Sequence, residues 1–192
     1  MYSNIIFEQA LSPEDCDNII KESEDLLDIE DSFVGHDKEI ENKTRQSKSA
    51  FVSAHKPEHV SLFGTLQSRM WAFVNLANRT NFGFDISYLD EVQYTVYDTK
   101  DFYDWHADVM LETSNAFHRK LSVSIQLSED SEYEGGDLEL QCLDEENQLP
   151  KDIVRKKGTV IIFPSFLVHR ITPVTKGTRK SLVAWIEGKK WG

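Results

Sequence analysis

The chain has little that would staple, anchor or disorder it. Its two cysteines, Cys16 and Cys142, stand far apart in 192 residues. That excludes a disulfide framework and fits thiols kept reduced. Long apolar runs are missing too. The longest, Thr159 to Val168, is interrupted by Pro164 and is too short to span a bilayer. Met1 to Ala10 has neither a basic start nor an apolar stretch. No secretory signal is read there, and the expected compartment is the cytoplasm, with no membrane partner. Positive charge is scarce, with 21 Lys and Arg against 33 Asp and Glu for a net charge of −12. Such a surface repels phosphate backbones, so nucleic acid is not an expected partner, and basic substrates are weakly favoured. With no internal repeat and no low-complexity linker, residues 1–192 are expected to form a single domain.

What is present divides into two textures. Residues 1–80 read as a helical support region. Ser12-Pro13-Glu14-Asp15 is a helix start: a hydroxyl cap, proline at the first helical position, then acids in the first turn. Cys16, Ile19, Ile20, Ser23 and Leu27 follow at helical spacing. A second helix is expected from Pro57 to Asn78, with Val60, Phe63, Gln67, Met70, Val74 and Ala77 on one stripe. Between them, Asp28 to Lys48 is polar and weakly periodic; it reads as a loop and a candidate substrate lid. Ser49–Ala54 reads as a strand.

Residues 81–192 are strand-like, with turn signals between the runs. Expected strands are Ile86–Tyr97, Phe102–Asp108, Lys120–Leu127, Asp137–Leu143, Lys151–Val154, Thr159–Phe163, Leu167–Ile171 and Arg179–Glu187. So many short strands suggest a β-sandwich or jelly roll.

Within this half stand His106-Ala107-Asp108, His169 and Arg179. Two histidines and a carboxylate suit a non-haem Fe(II) site that keeps coordination positions open. On a strand, residues i and i+2 share a face, so His106 and Asp108 can reach one ion. Alone, a His-x-Asp pair is weak evidence; in an acidic chain with six histidines it arises by chance about as often as not. His169 closes the most apolar strand, where a lone histidine more often bonds backbone. Thr172 to Thr178, with Pro173 and Gly177, reads as a reversal that brings Arg179–Glu187 back antiparallel beside the His169 strand. Arg179, Ser181, Val183 and Trp185 then share one face. An arginine and a serine on a buried face require an anionic partner, and a guanidinium can grip a carboxylate at two points.

Taken together, Tyr97-x5-Tyr103-x2-His106-x-Asp108, the Arg119–Ser128 strand, Gly135-Gly136-x-Leu138 and His169-x9-Arg179-x5-Trp185 resemble the catalytic half of the prolyl 4-hydroxylase-like 2-oxoglutarate/Fe(II) oxygenases. The opening Leu11-Ser-Pro-Glu-Asp-Cys16 also resembles the start of that family's N-terminal helix. The resemblance implies a mainly β fold with N-terminal helices around a double-stranded β-helix (jelly-roll) core. It implies His106, Asp108 and His169 as catalytic metal ligands, and Arg179 on the C5 carboxylate of 2-oxoglutarate. Tyr97 matches a cosubstrate neighbour, and Tyr103 and Trp185 match pocket walls. Some relatives carry a tyrosine near Gln126, where this chain would offer an amide; Ser181 is a further cosubstrate contact. The implied cofactor is Fe(II), the cosubstrates 2-oxoglutarate and O₂, and the auxiliary reductant ascorbate. The implied function is hydroxylation of a peptidyl proline. The rivals are the same chemistry on a free amino acid or other small molecule, and a non-enzymatic jelly-roll binding module. Substrate identity and oligomeric state are not legible.

Overall fold

The computed structural model describes residues 3–32, 44–109, 116–141 and 149–191. Strands dominate, and two helices cover one side. Helix α1 (Pro13–Leu26) begins as its sequence dictates: the Ser12 side chain accepts a hydrogen bond from the Asp15 N–H, and Pro13 occupies the first turn. Helix α2 (Val60–Ala77) follows a single turn at Pro57–His59. Its buried stripe runs through Leu62, Phe63, Leu66, Met70, Val74 and Ala77. Val60, expected on that stripe, is exposed at the helix start.

The strands are β1 (Ile5–Phe7), β2 (Glu30–Asp31), β3 (Arg45–Gln46), β4 (Lys48–Ser53), β5 (Tyr88–Tyr97), β6 (Phe102–His106), β7 (Phe117–Gln126), β8 (Tyr133–Gly135), β9 (Leu138–Leu140), β10 (Val160–Pro164), β11 (His169–Ile171), β12 (Val174–Gly177) and β13 (Arg179–Lys189). A seven-stranded sheet has the order β1-β10-β7-β13-β5-β4-β2, and a four-stranded sheet the order β3-β6-β11-β9. The strands β12 and β8 pair separately. Pairing is antiparallel throughout. This is the jelly-roll arrangement of two facing sheets. The N-terminal region thus supplies strands as well as helices.

Alternation along the large sheet separates two environments. Leu121, Val123 and Ile125 on β7, Leu182, Ala184 and Ile186 on β13, and Val92 and Tyr94 on β5 belong to the core beneath the helices. The opposite face carries Ser181, Val183 and Trp185 in register with Gln126, Ser124 and Ser122 across β7. Across β5, Arg179 and Ser181 pair with Tyr97 and Thr95. A second core, including Tyr133, Leu138, Leu140, Ile161, Phe163 and Ile171, lies on this side.

Several expectations need correction. The β13 strand does not lie beside β11. It pairs with β5 and β7 in the large sheet, whereas β11 pairs with β6 and β9 in the small one. The intervening segment is not a simple reversal: Val174–Gly177 is itself a strand, and the chain crosses between sheets through it. Lys151–Val154 is a single helical turn rather than a strand. Pro150 leads into that turn, and the Arg155 guanidinium after it is tied to the Tyr133 and Gly135 carbonyls and to Asp137. The stretch Asp28–Lys48 contains the short strands β2 and β3 at its ends. The middle of the candidate lid, residues 33–43, lies outside the described residues, as do His36 and Cys142.

Candidate active site

The last residue of β6 and the first of β11 are register partners, His106 opposite His169. Asp108 follows two residues after His106, in a segment held by its own N–H and that of Val109, both donating to the Ser165 carbonyl. Local pairing alone therefore brings the three side chains together. One ligand atom from each lies within 4.8 Å of the others. The Asp108 carboxylate is 3.6 Å from His106 Nε2 and 3.5 Å from His169 Nε2.

The hydrogen bonds around these groups decide what they can do. His106 Nδ1 donates to the Asp104 carbonyl at 2.8 Å, and His169 Nδ1 donates to the Leu167 carbonyl at 2.9 Å. Each ring then turns its Nε2 to the centre. Two imidazole nitrogens and a carboxylate converge there, a donor set that suits a divalent cation. Burial, together with the neighbouring His169, pushes His106 down to about 4, so it is neutral at physiological pH, as ligation requires. Burial opposes ionisation of Asp108, but the neighbouring His169 and a hydrogen bond from Ser122 outweigh it and hold the carboxyl below its ordinary range. That bond, from Ser122 Oγ to Asp108 Oδ2, is 2.6 Å long, and Ser122 Oγ lies 3.0 Å from Ser165 Oγ. The Tyr103 ring stacks on His106 at 3.5 Å, and Phe163 meets His169 edge-on.

The trio opens into a cavity of about 610 Å³ between the sheets. Its wall includes Arg179, Ser181, Tyr97, Tyr103 and Trp185, all singled out from the sequence. Arg179 is only 4% exposed. Its Nη1 donates to Ser181 Oγ at 3.2 Å, and its guanidinium lies 5.6 Å from the Tyr97 ring centre. Among the described residues it forms no ion pair. Beside it, Thr95 Oγ1 is buried in the same wall without a hydrogen-bond partner. A buried cation with an orphaned hydroxyl fits a ligand carboxylate, and removing both from water without one is costly.

Gln126 is placed differently. Its amide donates to the Ser128 carbonyl and to the Tyr133 hydroxyl, both at 3.1 Å, and it is not part of the cavity wall. The residues that sequence reasoning did not single out are Thr95, Ser122, Ser165, Arg45 and Arg119. Alternation could have found the first two, since Thr95 shares a face with Tyr97, and Ser122 faces Trp185 across the sheet.

Comparison with known proteins agrees with this geometry. The family described as the 2OG-Fe(II) oxygenase superfamily matches residues 92–187, half of the chain and the part that holds every residue of the trio. A PKHD-type hydroxylase of Gloeothece citriformis is 35% identical over 85 residues, which cover 44% of this chain and 37% of that protein. One from Synechococcus is 39% identical over 85 residues, covering 44% and 36%. The matched stretch is thus little more than a third of these relatives' own length. Among solved structures, a prolyl-4-hydroxylase of Pseudomonas putida superposes with a TM-score of 0.70 at 16% identity, covering 100% of this chain and 95% of that one. A prolyl hydroxylase of Trichoplax adhaerens, in complex with a hypoxia-inducible-factor peptide fragment, gives 0.71 at 15% identity and covers 97% and 84%. These superpositions establish a shared fold.

Proposed function

The chain belongs to the 2OG-Fe(II) oxygenase superfamily, and from that premise we propose that His106, Asp108 and His169 hold Fe(II) and that the protein hydroxylates a peptidyl proline. The observation that carries the metal assignment is the convergence of two Nε2 atoms, on rings whose Nδ1 is committed to a backbone carbonyl, with one carboxylate. Bound iron supplies the activation of O₂, by which 2-oxoglutarate is decarboxylated to succinate and CO₂ while one oxygen atom enters a substrate C–H bond.

The chain's own residues orient and exclude. The Asp104 and Leu167 carbonyls fix the histidine tautomers, and Ser122 fixes the Asp108 carboxylate. Arg179, Ser181 and Thr95 receive the C5 carboxylate of 2-oxoglutarate, with Tyr97 beside them. Tyr103 and Trp185 form walls nearer the metal. Gln126 acts at one remove, holding Tyr133 rather than the cosubstrate. Ascorbate serves as the auxiliary reductant.

Peptidyl proline is favoured by the prolyl hydroxylases among the structural neighbours, one of them in complex with a peptide, and by the cavity of about 610 Å³ beside the trio. The buried, free Cys16 thiol suits the cytoplasm, and none of the described helices is long and apolar enough to cross a membrane. The test is incubation of the Fe(II)-loaded protein with 2-oxoglutarate and a library of proline-containing peptides, read by mass spectrometry. Gain of one oxygen atom, located on proline by fragmentation, is expected. Unmodified peptides beside rapid oxidation of a free amino acid would assign the same chemistry to a small substrate.

A further inference from the structure

Arg45 sits in the cavity wall with only 8% of its surface exposed. The short strand β3 places it opposite Tyr103 in the small sheet. Its Nε donates to Ser47 Oγ at 2.8 Å, and its guanidinium carbon lies 4.7 Å from the centre of the Tyr103 ring. That ring in turn stacks on the metal-site His106. Among the described residues, no carboxylate pairs with Arg45. Arg119 borders the same cavity, its guanidinium carbon 3.9 Å over the Trp185 ring and its Nη1 3.5 Å from the Asp108 carbonyl. It too has no carboxylate partner among the described residues.

A charge tally makes these two cations significant. A divalent metal, the Asp108 carboxylate, the two carboxylates of 2-oxoglutarate and Arg179 together sum to zero. Arg45 and Arg119 then remain as two positive charges facing what is left of the cavity. Other charged side chains also line it: Lys56 and the acids Asp28, Glu30 and Asp31 are solvent-exposed, Glu91 on β5 is half-buried, and among the described residues none of these acids forms an ion pair with either arginine. A nine-tenths buried guanidinium without a counter-ion is costly, and a protein retains that cost where a ligand supplies the missing charge.

We propose that Arg45 and Arg119 form a second anion site, and that the substrate carries a carboxylate that seats at Arg45 beside the metal. Bidentate contact with a planar guanidinium suits that group. The carboxylate can belong to a free acid, or to an acidic side chain or C-terminus of a peptide near the oxidised carbon. This inference rests on the oxygenase reading above.

The test first fills the cosubstrate site with Mn(II) and 2-oxoglutarate, so that Arg179 is occupied, and follows thermal melting. Sodium acetate is then titrated against sodium chloride of equal ionic strength. Acetate should raise the melting temperature of the wild type, and Arg45→Met should lose that response. Arg45→Gln, which keeps polarity, serves if the methionine variant does not fold. A shift equally large in the Arg45 variants, or none in the wild type, overturns the second anion site. Failure of Mn(II) and 2-oxoglutarate themselves to stabilise the protein would instead strike the oxygenase reading. Matched substrates identify the source of the charge: amino acids against their amides, and proline peptides flanked by Asp or Glu against Asn or Gln. One acid of a matched pair should be oxidised at least about tenfold faster than its amide, the size expected for a charge-assisted hydrogen bond. Equal rates in both sets would overturn the proposal.

Discussion

Ser122→Ala removes one oxygen atom and no metal ligand, so it isolates the contribution of the Asp108 hydrogen bond. The bond is 2.6 Å long, within the range of a hydroxyl donating to a carboxylate, and both residues are buried. A hydrogen bond to a charged group is worth about 1.5–3 kcal/mol. Loss of an outer-shell partner typically weakens metal affinity by about 10–100-fold, which is the same free energy. The two estimates agree because Ser122 both stabilises the Asp108 anion and fixes its orientation. Ser165→Ala should cost less, since Ser165 touches Asp108 only through Ser122 and through backbone that the substitution keeps. The assay is Mn(II) titration followed by electron paramagnetic resonance of the free ion. Unchanged affinity in Ser122→Ala would refute the assignment of Asp108 as a ligand oriented by this bond.

Other perturbations probe the rest of the account. Arg179→Ala should weaken 2-oxoglutarate binding by about tenfold or more while leaving Mn(II) affinity nearly unchanged, and Arg179→Lys should recover part of it; calorimetric titration of both ligands separates the effects. Burial raises the Asp137 carboxyl, but Lys151 and Arg155, each 2.8 Å from a carboxylate oxygen, outweigh it and hold the group below its ordinary value. Its contribution is therefore present above about pH 4 and lost as pH falls through the lowered value. Asp137→Asn should cost about 1 kcal/mol at neutral pH, and denaturant midpoints of variant and wild type should converge in acid. Gly158 has φ +82° and a Cβ there would sit 2.0 Å from the Leu11 carbonyl oxygen, so Gly158→Ala should lower stability by about 3 kcal/mol or more, read as a fall in melting temperature.

How much of this was legible in the sequence follows from what alternation and spacing can carry. Period-2 patterning put Arg179, Ser181, Val183 and Trp185 on one face of β13, and the structure lines the cavity with that face. The Ser-Pro-Glu-Asp helix start is likewise local chemistry, and α1 begins there. Alternation says which side chains share a face but not which strand lies alongside. Adjacency in the chain suggested that β13 pairs with β11, whereas the chain crosses to the other sheet through β12. Lys151–Val154 carried strand-like residues but is held as one helical turn by contacts with residues distant in the chain. Arg45 was hidden because it lies in a polar, weakly periodic stretch, and its partner strand is nearly sixty residues away in sequence. Net charge is similarly silent about the site. The surface as a whole is acidic, whereas the cavity beside the His106, Asp108 and His169 trio sets Arg45, Arg119 and Arg179 among acids such as Asp28, Glu30, Asp31 and Glu91. Bulk charge describes the average surface and not the arrangement of charges within a concave site.

The most direct test of the central claim is succinate formation from 2-oxoglutarate under O₂, measured for Fe(II)-loaded wild type and for His169→Ala. The wild type should produce succinate slowly even without substrate. His169→Ala, left with His106 and Asp108, should produce none while keeping the wild-type circular dichroism spectrum. Succinate from the variant at the wild-type rate, or its absence from wild type shown to hold Fe(II), would contradict the account.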